Sequence, residues 1–136
     1  MKWFLLLGRL LFSLIFIQSV ANHFSPDTMQ YAANAGVPFP RVLVPASGIM
    51  AALGGLSIVL GWKARWGAWL IVLFLVPVTL AMHHFWNIPD PMMHQMQQAM
   101  FMKNVSMLGG ALIIAYFGAG PLSIDNAQAQ PVTSRR

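Results

Sequence analysis

The chain has 136 residues, 57% of them hydrophobic and 8% charged, whereas soluble domains carry roughly a quarter of their residues as charged side chains; a fold that covers itself in water is excluded and lipid is the expected solvent. The absence of Cys removes disulfides, thiolate nucleophiles, Cys-ligated zinc and iron–sulfur clusters, and the absence of Glu, with Asp only at Asp27, Asp90 and Asp125, leaves no paired-carboxylate chemistry. The net charge of +5 is scattered beside apolar runs rather than gathered in a stripe, which suits anionic lipid headgroups and argues against nucleic acid.

The first apolar run, about Trp3–Ala21, has nearly the length that crosses a bilayer as a helix. Lys2, the apolar core and Ser19-Val20-Ala21 resemble a signal peptide, but Arg9 inside the run and Gln18 near the would-be cleavage site favour a retained span. Arg9 lies close enough to the inner end for its head to reach the membrane surface. Phe24-Ser25-Pro26-Asp27-Thr28 reads as a turn before a short helix over Thr28–Ala35, and Gly36-Val37-Pro38-Phe39-Pro40 leads into a second span, about Val42–Gly61. Trp62–Trp66 is short enough to force an antiparallel hairpin with a third span, about Gly67–Trp86, in which Pro77 predicts a kink, a gate or ligand notch being the less common alternative. Asn87-Ile88-Pro89-Asp90-Pro91 ends that helix, Met92–Met100 reads as an interfacial helix, and it runs into a fourth span, about Phe101–Ala119. The domain is expected to occupy residues 1–124, with residues 125–136 a polar, disordered tail.

These elements predict an all-α integral membrane four-helix antiparallel bundle. Lys2, Lys63, Arg65, Arg135 and Arg136 on one face outnumber Arg41 and Lys103 on the other, which places both termini in the cytoplasm. Ser47, Ala51 and Gly55, Gly48 and Ala52, and Ser106, Gly109, Gly110 and Ala111 mark close helix–helix seams, since membrane helices associate through small residues; a homo-oligomer is the competing use of such faces. No span contains Asp or Glu, which disfavours a proton-coupled transporter built on intramembrane carboxylates.

The polar inventory gathers at the outer end, where His23, His83, Lys103 and Asn104 are candidate contacts for a quinone headgroup, whose carbonyls accept hydrogen bonds. Lining headgroups and capping helices is the plainer role for the same residues. Met92, His94, Met96 and Met100 supply thioether and imidazole groups that Cu(I) accepts, against the plainer reading of a Met-lined apolar helix face. With no Cys and no flavin motif, the chain by itself is not expected to form a complete catalytic centre.

The order of motifs resembles the DoxX family of small four-helix bacterial membrane proteins. It is carried by Gly8-Arg9-Leu10-Leu11, Tyr31-Ala32-Ala33, Gly36-Val37-Pro38, Leu53-Gly54-Gly55-Leu56, His83-His84-Phe85-Trp86, Phe101–Ser106, Gly109-Gly110 and Phe117–Asp125. The resemblance implies a bacterial inner-membrane protein whose relatives include a subunit of thiosulfate:quinone oxidoreductase and a membrane partner in complexes handling oxidative stress. Many members carry an acidic residue where this chain has Ala51 and a Lys where it has Asn22-His23. The expected function is thus a membrane subunit or anchor of a quinone-linked redox complex with protein partners; a solute- or Cu(I)-handling membrane protein and a site-free interaction scaffold are the alternatives.

Overall fold

Several helix ends of the protein fall where the sequence supplies a Ser, Pro, Gly or Asp. The computed structural model describes residues 1–129, and over these the regular structure is entirely helical. Helix α1 (Lys2–Gln18) pauses at Ser19, whose hydroxyl donates to Phe16 O at 3.0 Å, and resumes as the short α2 (Val20–His23). Ser25 caps α3 (Pro26–Asn34), its hydroxyl accepting from the Asp27 N–H, with Pro26 preset for the first helical position. Helix α4 (Pro40–Leu60) opens on Pro40 and stops at Gly61 in the left-handed region. After the two-residue turn Trp62-Lys63 the chain reverses into α5 (Ala64–Met82). Asp90 caps α6 (Pro91–Phe117) by accepting from Met93 N at 2.8 Å, and a short α7 (Ile124–Ala129) follows.

Four segments are long and apolar enough to cross a membrane: Lys2–His23, Pro40–Leu60, Ala64–Met82 and Pro91–Phe117. The protein is therefore a multi-pass membrane protein, and its outward leucines, such as Leu7, Leu53 and Leu73, contact lipid. At 1.5 Å per residue the 27 residues of α6 span about 40 Å, more than the roughly 30 Å of hydrocarbon, so the helix projects beyond the apolar layer. The Met92–Met100 segment and the fourth span thus form one uninterrupted rod.

Helix α4 is the hub, packed against α1, α2, α3 and α5, while α6 packs on α5 and meets α1 where Gly110 faces Phe12. Small residues make this possible. A β-carbon at Gly54 would lie 2.8 Å from Gly67 O, and one at Gly67 would lie 3.0 Å from Gly54 O, so α4 and α5 touch backbone to backbone. On another face of α4, Gly55 meets Ser13 O and Phe16 of α1. Phe16, Ile58, Ile71, Phe74 and Leu75 fill the space between. Of the residues expected at seams on α4, Gly48, Ala51 and Gly55 are buried while Ser47 and Ala52 are half-buried, and the closest approach, Gly54 against Gly67, lies outside that set; on α6 Gly110 meets Phe12 and Ala111 is buried, whereas Gly109 has open space beside it.

Three expectations need correction. The third span ends at Met82 rather than Trp86, because His83 leaves helical geometry with φ −127 and the chain turns toward Pro89 and Pro91. Arg9 does not reach the surface; it is 4% exposed, and Nη2 donates to Leu122 O. The polar tail is not disordered from residue 125: α7 is helical, and the Asp125 carboxylate accepts from Lys63 N at 2.7 Å and Ala64 N at 3.0 Å, capping α5. The remainder of that tail, with Arg135 and Arg136, lies outside the described residues.

Candidate functional site

The end of the bundle opposite this clasp holds a cavity of about 430 Å³ between α4 and α5, covered by α2 and α3. Its size lies within the roughly 300–1,000 Å³ range of small-molecule sites. The walls are apolar, with Val44 and Met50 from α4 facing Pro77, Val78 and Met82 from α5. Pro77, which has no N–H, lies on the cavity wall within an α5 that stays helical from Ala64 to Met82.

Three polar side chains reach this lining: His23, Thr28 and Ser47. The His23 imidazole lies over Gly48, where a β-carbon would overlap its Cβ, and its ring centroid is 5.7 Å from that of Phe74. Only a glycine on α4 lets the ring approach so closely. Nδ1 donates to Ser19 O at 2.8 Å, a bond made available by the interruption between α1 and α2. Ser47 donates to Val44 O at 2.8 Å within its own helix. Ala51 is fully buried one helical turn beyond Gly48 and is part of the core.

Beside the cavity a polar chain ties three elements together. His83 Nδ1 lies 2.8 Å from Gln97 Oε1, Gln97 Nε2 donates to Tyr31 Oη at 2.9 Å, and Tyr31 donates to Met82 O at 3.3 Å. Because a carbonyl oxygen only accepts, the bond directions run one way, from the imidazole N–H of His83 to the Met82 carbonyl. This chain fixes α3 and α6 to the end of α5, and so fixes Met82 on the cavity wall.

Of the four residues expected at a headgroup, His23 is the one on the cavity wall. His83 is held by Gln97, Lys103 is exposed with Nζ 3.5 Å from Met100 Sδ, and Asn104 is buried on α6. His84 and His83 diverge, the former donating to Ala81 O at 3.0 Å. Met92, Met96 and Met100 are exposed along one side of α6, while the His94 ring packs edge-on against Phe85 at 5.4 Å. Phe85, Trp86 and Phe101 form an aromatic cluster next to it, with centroids 5.5–6.1 Å apart where the indole or Phe85 meets Phe101. Among the described residues no group of three His, Cys, Asp or Glu side chains is placed to hold a metal ion. Tyr31 and Gln97 were not singled out as a pair from sequence, since residues 66 apart carry no local spacing signal.

Residues 4–84 match the model of the family DoxX. The Escherichia coli (strain K12) inner membrane protein YphA is 31% identical over 98 residues, covering 72% of this chain and 69% of YphA. A Surfeit locus protein 4 homolog of Schizosaccharomyces pombe (strain 972 / ATCC 24843) is 27% identical over 124 residues, covering 90% of this chain but 37% of that larger protein. No solved structure matches the chain.

Proposed function

The chain belongs to the DoxX family, and from that premise we propose that it is the quinone-facing membrane subunit of a redox complex, with the cavity beside His23 receiving the quinone ring. The observation that carries the reading is an apolar cavity of about 430 Å³, bounded by Pro77 and Val44, in which one imidazole is held by a backbone carbonyl. An apolar ring needs such walls, and its two oxygens need a few fixed polar partners. His23 is the residue we assign to the edge of the ring; His83 stabilises the wall through Gln97, and Lys103 and Asn104 lie midway along α6.

A bacterial inner membrane location follows YphA, which is described as an inner membrane protein. The excess of Lys2, Lys63 and Arg65 over Arg41 and Lys103 orients the clasped end toward the cytoplasm and the cavity toward the opposite face. The chemistry of electron transfer is supplied by partner subunits and by the quinone.

The test is purification from the native membrane in mild detergent, extraction of bound quinone, and equilibrium binding of a decyl-substituted benzoquinone in nanodiscs. Bound quinone is expected, with affinity falling about tenfold or more in His23→Ala, a loss of ~1.4 kcal/mol. Wild-type affinity in both His23→Ala and the wall-filling Ala81→Phe variant would refute the assignment.

A further inference from the structure

Helix α3 has a second neighbour besides the His23 cavity. At 3.6 residues per turn Thr28 and Gln30 point about 200° apart, and while Thr28 lines that cavity, Gln30 lines a separate groove on the other side of the helix. The groove encloses about 470 Å³ between α3 and the start of α4. Pro26, Met29, Ala33 and Pro40 make its walls apolar, and Gln30 and Arg41 are its polar groups. Among the described residues no carboxylate lines it, so the Arg41 guanidinium sets its sign; Asp27 of α3 lies outside the lining. The start of α4 adds to the same sign, because no side chain caps it and no acidic residue stands in its first turn.

The groove lies where the chain passes from headgroups into hydrocarbon. Arg41 is exposed in the first turn of a span, and its neighbours Phe39 and Val42 are exposed apolar side chains. A ligand matched to these surroundings sets a negative charge on Arg41 and apolar chains beside Phe39 and Val42, which is the build of a phospholipid. We propose that the groove is a binding site for an anionic phospholipid, its phosphate held by Arg41 and its acyl chains lying along α4. A lipid seated there packs α3 from the side opposite the His23 cavity and holds the cover of that cavity in place. The site is separate from the quinone assignment and stands without it.

The experiment measures binding of palmitoyl-oleoyl phosphatidylglycerol to the full chain, delipidated in detergent, by native mass spectrometry, beside the diacylglycerol with the same acyl chains and inorganic phosphate. One phosphatidylglycerol is expected to be retained about tenfold more tightly than the diacylglycerol, as a charge-assisted contact to phosphate allows. It is also expected to slow amide hydrogen exchange across α3. Arg41→Gln is expected to abolish both the preference and the slowing, whereas Lys2→Gln, at the other end of the bundle, keeps both. Ala33→Trp, which fills the groove and leaves the charge in place, is expected to weaken phosphatidylglycerol several-fold. Equal binding of phosphatidylglycerol and diacylglycerol overturns the site, as does wild-type lipid affinity in either Arg41→Gln or Ala33→Trp. An equal loss in Lys2→Gln overturns it in favour of diffuse attraction to the net charge. Inorganic phosphate bound as tightly as phosphatidylglycerol overturns the lipid as the source of the anion.

Discussion

Arg9 carries a charge at 4% exposure inside the first span, with Nη2 bonded to Leu122 O while Nε and Nη1 find no acceptor among the described residues. An unmade buried hydrogen bond costs roughly 1–3 kcal/mol, so the guanidinium is kept for what it organises rather than for net stability. What it organises is the return of the C-terminal segment to α1. Replacing Arg9 by Met, which keeps the volume and removes the unsatisfied donors, is expected to leave the melting temperature in detergent unchanged or raised. The same variant should let protease cut the segment after Leu122 sooner. A large fall in melting temperature would show the charge to be stabilising. Asp125 behaves oppositely: it supplies both acceptors for the uncapped start of α5, where Lys63 provides no side-chain cap of its own. Asp125→Ala should cost about 1 kcal/mol, as loss of a helix cap usually does, readable as a lower unfolding midpoint. Gly61 joins the two, being left-handed at φ +64 and so close to Arg9 and Ser123 that a β-carbon would overlap both. The meeting of these three residues leaves no local signal in the sequence, because each is far along the chain from the other two.

Among the elements, α4 and α5 form the tightest pair, set by Gly54 and Gly67 lying against each other's carbonyl oxygens. Gly54→Leu has no room to relax into, because the obstructing atom is backbone. It is expected to destabilise by more than the roughly 1–3 kcal/mol typical of overpacking, seen as loss of the folded fraction in detergent. The glycine and alanine spacing on α4 was legible beforehand, since close approach in lipid requires small residues wherever it occurs. The end of α5 was not, because hydropathy continues through Phe85-Trp86 while the backbone departs at His83. Those aromatic side chains pack with Phe101 in a cluster instead of extending a helix. For α3, Tyr31→Phe removes the acceptor of Gln97 and the donor to Met82 O, leaving a buried amide half-satisfied. The expected result is faster amide hydrogen exchange across α3, with the cores of α4 and α5 unaffected.

For the molecule as a whole, the contact of Asp125 with the α4–α5 turn puts the beginning of α1 and the end of the described chain at one end of the bundle. The natural absence of Cys makes this accessible to labelling with single introduced thiols. Lys63→Cys is expected to react only with reagent admitted to the cytoplasm, and Gln30→Cys with impermeant reagent added outside; the reverse pattern would invert the orientation. Composition and hydropathy alone determined that the chain lies in lipid and crosses it as helices, because the energetic demand of hydrocarbon on every residue is local and additive along the chain. Only the tertiary structure decided that His23 sits on an apolar cavity while the other expected headgroup contacts serve elsewhere, that Gln97 and Tyr31 join His83, and that Arg9 and Asp125 close the opposite end. Those facts depend on helix rotation and on partners distant in sequence, and a hydrogen bond, unlike hydropathy, is decided by the relative placement of two atoms.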